Sequence, residues 1–215
     1  MATATALGLT LTLTPPLLTT LRLTPLLTTT ASLTHAYMER LTTTSFLSPP
    51  PTTTTISQLS ATTTPSPAQR TAYASLIAST ADVAVPAWFT NFFNTGVWSV
   101  VGLNTLTGLS AAANILLFGH ALDARVRKWY VVGWAAAAAH MLFIPLVQGS
   151  VEGIIGMAVR QEVGEAPKEE TEGGKLTKAQ KYLRDWANVH TIRMVTVDVA
   201  AWVAFGVGVV GALTK

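Results

Sequence analysis

The sequence predicts an all-α integral membrane protein, a membrane four-helix bundle with a Thr/Pro-rich disordered loop. Three observations carry that expectation. Of the 215 residues only 12% are charged and 49% are hydrophobic, whereas a water-soluble domain carries about 25% charged residues. The mean hydropathy is +0.41, so much of the surface calls for a solvent other than water. Long windows are also free of charge: no residue between Asp82 and Asp123 carries one at neutral pH. The net charge of +3, from 14 basic and 11 acidic residues, is too small and too scattered to indicate nucleic acid, and it reads as the flanking charge of membrane segments. The absence of cysteine excludes a disulfide framework, a thiolate nucleophile and cysteine-ligated zinc or iron–sulfur sites.

Residues 1–38 form the first membrane span region. Thr and Leu alternate in LGLTLTLT, which has the period of a strand. An isolated open strand cannot satisfy its backbone in lipid, so a helix from Pro16 to Leu33 is expected instead. A signal peptide would need a basic start, and a presequence would need more arginine than Arg22 alone. Residues 39–70 make a Thr/Pro-rich loop, with too few large apolar side chains in Thr42–Pro67 to order it.

Residues 71–215 are expected to form a three-span helical core that includes a charged linker, 161–181. A helix over Arg70–Asn94 with Tyr73, Leu76 and Ile77 on one face leads into PAWFTNFFN, whose aromatics suit the membrane interface. The charge-free windows place spans at Gly96–Gly119 and Trp129–Ser150, near the ~20 residues a crossing needs. The apolar run after Asp198 is short, so the last span is expected to begin earlier, at Trp186–Leu213, and to carry His190, Arg193 and Asp198 into or near the membrane. Orientation stays open. Arg125, Arg127 and Lys128 favour the cytosol for their loop, but the 161–181 region is flanked by basic residues too. No internal repeat supports a transporter.

Ionisable side chains inside a membrane are functional candidates. Trp186, His190 and Arg193 stand at i, i+4 and i+7 and share a helix face. Asp198 falls about 140° around the wheel from Arg193, which argues against pairing within the helix and sends each to a partner elsewhere. His140 follows five alanines that permit close helix approach. Asn104 and Asn114 lie on the preceding span as helix glue or ligand contacts. The four histidines, His35, His120, His140 and His190, are read as showing no i, i+3 or i, i+4 spacing with a carboxylate of the kind seen in di-iron or HExxH sites, so no metal is expected. GxSxG, P-loop and strand-borne GxGxxG motifs are absent, and the GVGVVG run reads as helix-packing glycine.

Three stretches, ASLTHAYMERL, WAAAAAHMLFIPLVQGSVEGI and LRDWANVHTIRMVTVDVAAWVAF, resemble the anthrone-oxygenase-like family of small four-span fungal membrane proteins, most of whose members have no assigned function. The resemblance implies oxidation of a lipophilic aromatic polyketide of secondary metabolism, anthrone to anthraquinone, by molecular oxygen with no cofactor. It implies an endomembrane location such as the endoplasmic reticulum. In that reading His190 is the general base, Arg193 stabilises the oxyanion, and His140, Trp186, Asn104 and Asn114 bind the substrate. The other class that the sequence allows is a non-catalytic four-helix scaffold or lipid-binding protein. Expected partners are membrane lipids, a lipophilic aromatic small molecule and a protein docked through 161–181, with no nucleic acid.

Overall fold

A computed structural model describes residues 1–47, 66–165 and 176–214. Most of the loop centre (48–65) and part of the charged linker (166–175) therefore lie outside the described residues. The chain opens on an antiparallel hairpin of β1 (Ala2–Ala6) and β2 (Leu9–Leu13), with Ala2 opposite Leu13 and Ala6 opposite Leu9. This corrects the sequence expectation: the strand period in LTLTL was real, because the alternating ATATA before it supplies the missing partner. Leu7 (φ 51) and Gly8 (φ 77) take the left-handed positions of the two-residue turn. For leucine that conformation costs about 1–2 kcal/mol.

Helix α1 follows (Pro15–Ser45), begun by prolines that lack only N–H groups the first turn would leave unpaired. It runs well beyond Leu33 into the expected loop. Helix α2 (Pro67–Ala112) ends in a π-helical turn, Ala113–Leu117, and a short 3-10 segment, Gly119–Ala121. Helix α3 (Ala124–Ala139) tightens into a 3-10 turn, His140–Phe143, before α4 (Ile144–Glu162). Helix α5 (Lys178–Arg193) passes through a second π turn, Met194–Asp198, into α6 (Val199–Leu213).

Two of these helices begin earlier than hydropathy suggests because each carries a reciprocal cap. Ser66 accepts from the Gln69 backbone at 3.2 Å while Gln69 Oε1 accepts from the Ser66 N–H at 2.8 Å. Thr177 and Gln180 repeat the arrangement at 3.3 and 3.1 Å. Both are capping boxes. Three helical runs, Thr80–Leu117, Ala124–Glu162 and Lys178–Leu213, are long and apolar enough to cross a membrane. Helix α1 is threonine-rich, but its hydroxyls are absorbed internally: Thr20, Thr24, Thr30 and Thr34 each donate to the carbonyl four residues back.

The chain divides into two compact units. One comprises Met1–Glu39, Thr95–Leu146 and Val189–Lys215. Within it α1 runs antiparallel to α2, through Asn114 to Leu21 and Thr28 to Thr107, and antiparallel to α6, through Arg22 to Ala212 and Trp202 to Thr30. Helices α3 and α6 approach closely at glycines. A Cβ on Gly133 would lie 2.8 Å from the Phe205 ring, and one on Gly211 would lie 2.9 Å from Val126. The core between them is Val126, Tyr130, Ala201, Phe205 and Val209, with Ala111 and Ile115 of the α2 run. The other unit, Arg40–Asn94 and Val147–Asn188, is centred on Val85, Phe89, Ile154, Leu183 and Trp186.

Prolines inside long helices leave a carbonyl four residues back without its donor, and each such carbonyl has been answered. Pro25 strips Leu21, whose oxygen accepts from Asn114 Nδ2 at 2.8 Å. The next carbonyl, of Arg22, takes the Tyr130 hydroxyl at 2.9 Å. Pro86 strips Asp82, whose oxygen accepts from Gln161 Nε2. Pro145 strips Met141, and the 3-10 turn lets Ile144 N–H reach that oxygen. Asn114 is thus bound to a backbone defect. We expect Asn114→Ala to cost about 1–3 kcal/mol, and Pro25→Ala, which restores the backbone donor, to recover most of that loss in the double variant. Thermal melts of the four proteins in detergent check it; strictly additive costs would refute the pairing.

Candidate functional site

The π turn at Met194–Asp198 decides where the charged residues of this run meet. In an α-helix the fifth residue on lies about 140° away, whereas a π turn closes on i+5, and here Val199 N–H reaches Met194 O. Asp198 is thereby returned to the side of Arg193, and its Oδ2 lies 3.3 Å from Arg193 Nε. The expectation that these two would not pair within the helix is overturned, because it assumed an unbroken α-helical wheel.

The other oxygen of the same carboxylate, Asp198 Oδ1, accepts from His140 Nδ1 at 2.9 Å. His140 opens the 3-10 turn before Pro145, so one irregularity in each of two helices brings the pair together. A neutral His140 then carries its lone pair on Nε2, an atom that makes no hydrogen bond among the described residues. The terminal nitrogens of Arg193 likewise make none among the described residues, and its side chain keeps 14% exposure against 8% for Asp198.

A second pair stands beside the first. His190 Nε2 lies 3.0 Å from the Ala36 carbonyl and 3.3 Å from Glu39 Oε2. Both neighbours are acceptors, so Nε2 is the donor. The other carboxylate oxygen of Glu39 faces His35 Nδ1 at 3.4 Å, one helical turn back. Glu39 is 8% exposed and His35 28% exposed, so this pair leads from a buried ring toward a more open one. The two pairs feel each other's charge: Arg193 and Asp198 act on both Glu39 and His190, and His140 acts on His190. With both carboxylates ionised and Arg193 charged, the cluster is one positive charge short.

Of the residues expected from the sequence, His140, His190 and Arg193 come together in this cluster. Asn104 donates to the Val100 carbonyl of its own helix at 2.9 Å, and Asn114 serves Leu21 as described. Trp186 is buried in the other unit, edge-on to Phe89 at 5.5 Å. Three members were missed as partners. Asp198 was obscured by the π turn, while His35 and Glu39 were visible as an i, i+4 pair. Among the described residues no group of three or more His, Asp or Glu side chains forms a metal cage.

Since Asp198 stands against both, removing it leaves a buried cation without its counter-charge and a buried imidazole without its acceptor. Asp198→Ala is expected to lower stability by about 3–5 kcal/mol, and Asp198→Asn, which keeps an acceptor for His140, by less. Denaturation in mixed micelles measures both; a loss under ~1 kcal/mol for the alanine variant would show that neither contact matters.

No protein-family model, curated protein or solved structure matches the chain.

Proposed function

We propose that this protein is a four-span integral membrane oxygenase that takes a proton from a lipophilic phenolic aromatic and lets the anion react with molecular oxygen, the anthrone-to-anthraquinone type of oxidation. In this reading α1 is the fourth span, its threonine hydroxyls hidden by their own helix, and an endomembrane location follows from the same resemblance. The observation that carries the reading is the Asp198 carboxylate, which aligns an imidazole on one oxygen and a guanidinium on the other. A histidine oriented by a carboxylate through Nδ1 is a competent base at Nε2. A guanidinium beside it stabilises the oxyanion that forms as the substrate ionises.

The balance closes with oxygen alone. The base removes one C–H proton, and the carbanion gives two electrons to O2 as the C–O bond forms. Protonation gives a hydroperoxide. Loss of the second C–H proton then makes the C=O bond as the O–O bond breaks, and hydroxide leaves as water. Two proton removals are needed, and two imidazole–carboxylate pairs are present. We assign the first to His140 with Asp198 and the second to His190 with Glu39, with Arg193 as the oxyanion partner. His190 therefore keeps a catalytic part, while the first base moves to His140, whose Nε2 is the atom with no partner among the described residues.

The purified protein in detergent, with chelator present and an anthrone supplied, should consume oxygen and form the quinone. His140→Ala and His190→Ala should each lose about 10²–10⁴-fold in rate per folded molecule, read on the folded fraction because each also strips a partner from a buried carboxylate. Arg193→Lys should also fall, since a point charge does not reproduce the planar fork. Full turnover by His140→Ala would remove the assigned base. Absence of turnover in the parent protein, with the fold intact, would favour the scaffold or lipid-binding reading.

A further inference from the structure

The N-terminal hairpin has two unlike faces. Thr3 stands opposite Thr12 and Thr5 opposite Thr10, with hydroxyls 3.1 and 3.2 Å apart, so one face is a threonine ladder. The other carries alanine and leucine. Toward the open end this apolar face is covered, with Ala2 and Ala4 packed on Phe118. Toward the turn it overhangs: Leu11 is 50%, Leu9 77% and Leu7 102% exposed. Leu7 also holds the left-handed φ of 51°, a position where asparagine or glycine is the ordinary choice. A large apolar side chain kept there at the cost of backbone strain gains nothing from water.

The same end of this unit is basic. The turn after Phe118 exposes His120 and leads into α3, where Arg125, Arg127 and Lys128 are exposed and Arg127 lies against Gly119. Asp123 is the only acid between Asp82 and Glu152, and its side chain is engaged in capping α3 at the Arg125 N–H. Three cations thus crowd the first turns of a helix whose own dipole is positive there, an arrangement that favours an external anion. Arg22 ties this level together, donating to Ala121 O and to Ala212 O at the end of α6, each at 3.2 Å.

We propose that this end of the unit binds the acidic phospholipids of the leaflet it meets. The leucine edge of the hairpin inserts among the upper acyl chains, the threonine ladder faces the headgroup water, and Arg125, Arg127 and Lys128 bind lipid phosphates. A hairpin suits that depth and no deeper, since its outer strand edges still require water. The proposal is independent of the oxidation chemistry assigned to the buried cluster.

The chain has no cysteine, so a single introduced thiol reports one position. Full-length Leu9→Cys and Thr10→Cys proteins, each labelled with an environment-sensitive fluorophore, are reconstituted into phosphatidylcholine vesicles with or without phosphatidylserine. With phosphatidylserine the Leu9 label should shift to the blue and be quenched by doxyl lipid, while the Thr10 label stays open to aqueous iodide. Replacing Arg125, Arg127 and Lys128 together by glutamine, or raising the salt, should abolish the dependence on phosphatidylserine. Equal iodide access at both labels would overturn insertion, and equal insertion into neutral vesicles would overturn the acidic-lipid assignment.

Discussion

A polar group inside a water-free helical assembly must find its partner in the protein, and an unmet backbone carbonyl there costs several kcal/mol. Much of this molecule follows from that demand. Pro25, Pro86 and Pro145 each vacate a carbonyl, and two of the three are answered by a side-chain amide from a different helix, Asn114 for Leu21 and Gln161 for Asp82. Those amides are therefore fixed by the defect they repair. The third defect is repaired within the backbone by tightening to a 3-10 turn, and that turn sets the angle at which His140 leaves its helix.

Charges obey the same demand more strictly. Asp198 faces its cation only because the π turn widens the helix between it and Arg193 and so rotates the carboxylate back to ion-pair distance of the guanidinium, without a hydrogen bond between Nε and Oδ2. Without that turn the acid would face away from the cation and toward the apolar side of α6. Irregular helix geometry at this position is thus the condition for burying two charges and an imidazole together. The Asn114 turn at the end of α2 works likewise: a π turn carries the amide that reaches across to α1.

What the sequence made legible follows from which of these rules are local. The apolar spans could be read from the absence of charge, and the shared face of His190 and Arg193 from their spacing. Helix starts at Ser66 and Thr177 were equally legible as capping boxes, but hydropathy pointed downstream of them. The hairpin is legible only when LTLTL is read together with the ATATA that pairs with it, and Glu39 lies just past the apolar window of the first span. The Asp198 contact was not legible at all: nothing in MVTVD marks a π turn, and the turn owes its place to partners on another helix.

The partnership of His140 with Asp198 depends on packing some distance away. Helices α3 and α6 are antiparallel, and their register is set where glycine lets them touch. Moving along α3 from Val126 to Tyr130 and Gly133 retraces α6 from Gly211 to Gly208 and Phe205. The same progression, continued one further stretch, opposes His140 to Asp198. A side chain at Gly211 or Gly133 would need the space that Val126 or the Phe205 ring occupies, and the helices would part or slide. A slide of one turn, about 5.4 Å, exceeds the reach of a hydrogen bond. The glycines thereby hold the acid against the imidazole, and the orientation of the base is as firm as the helix contact that carries it.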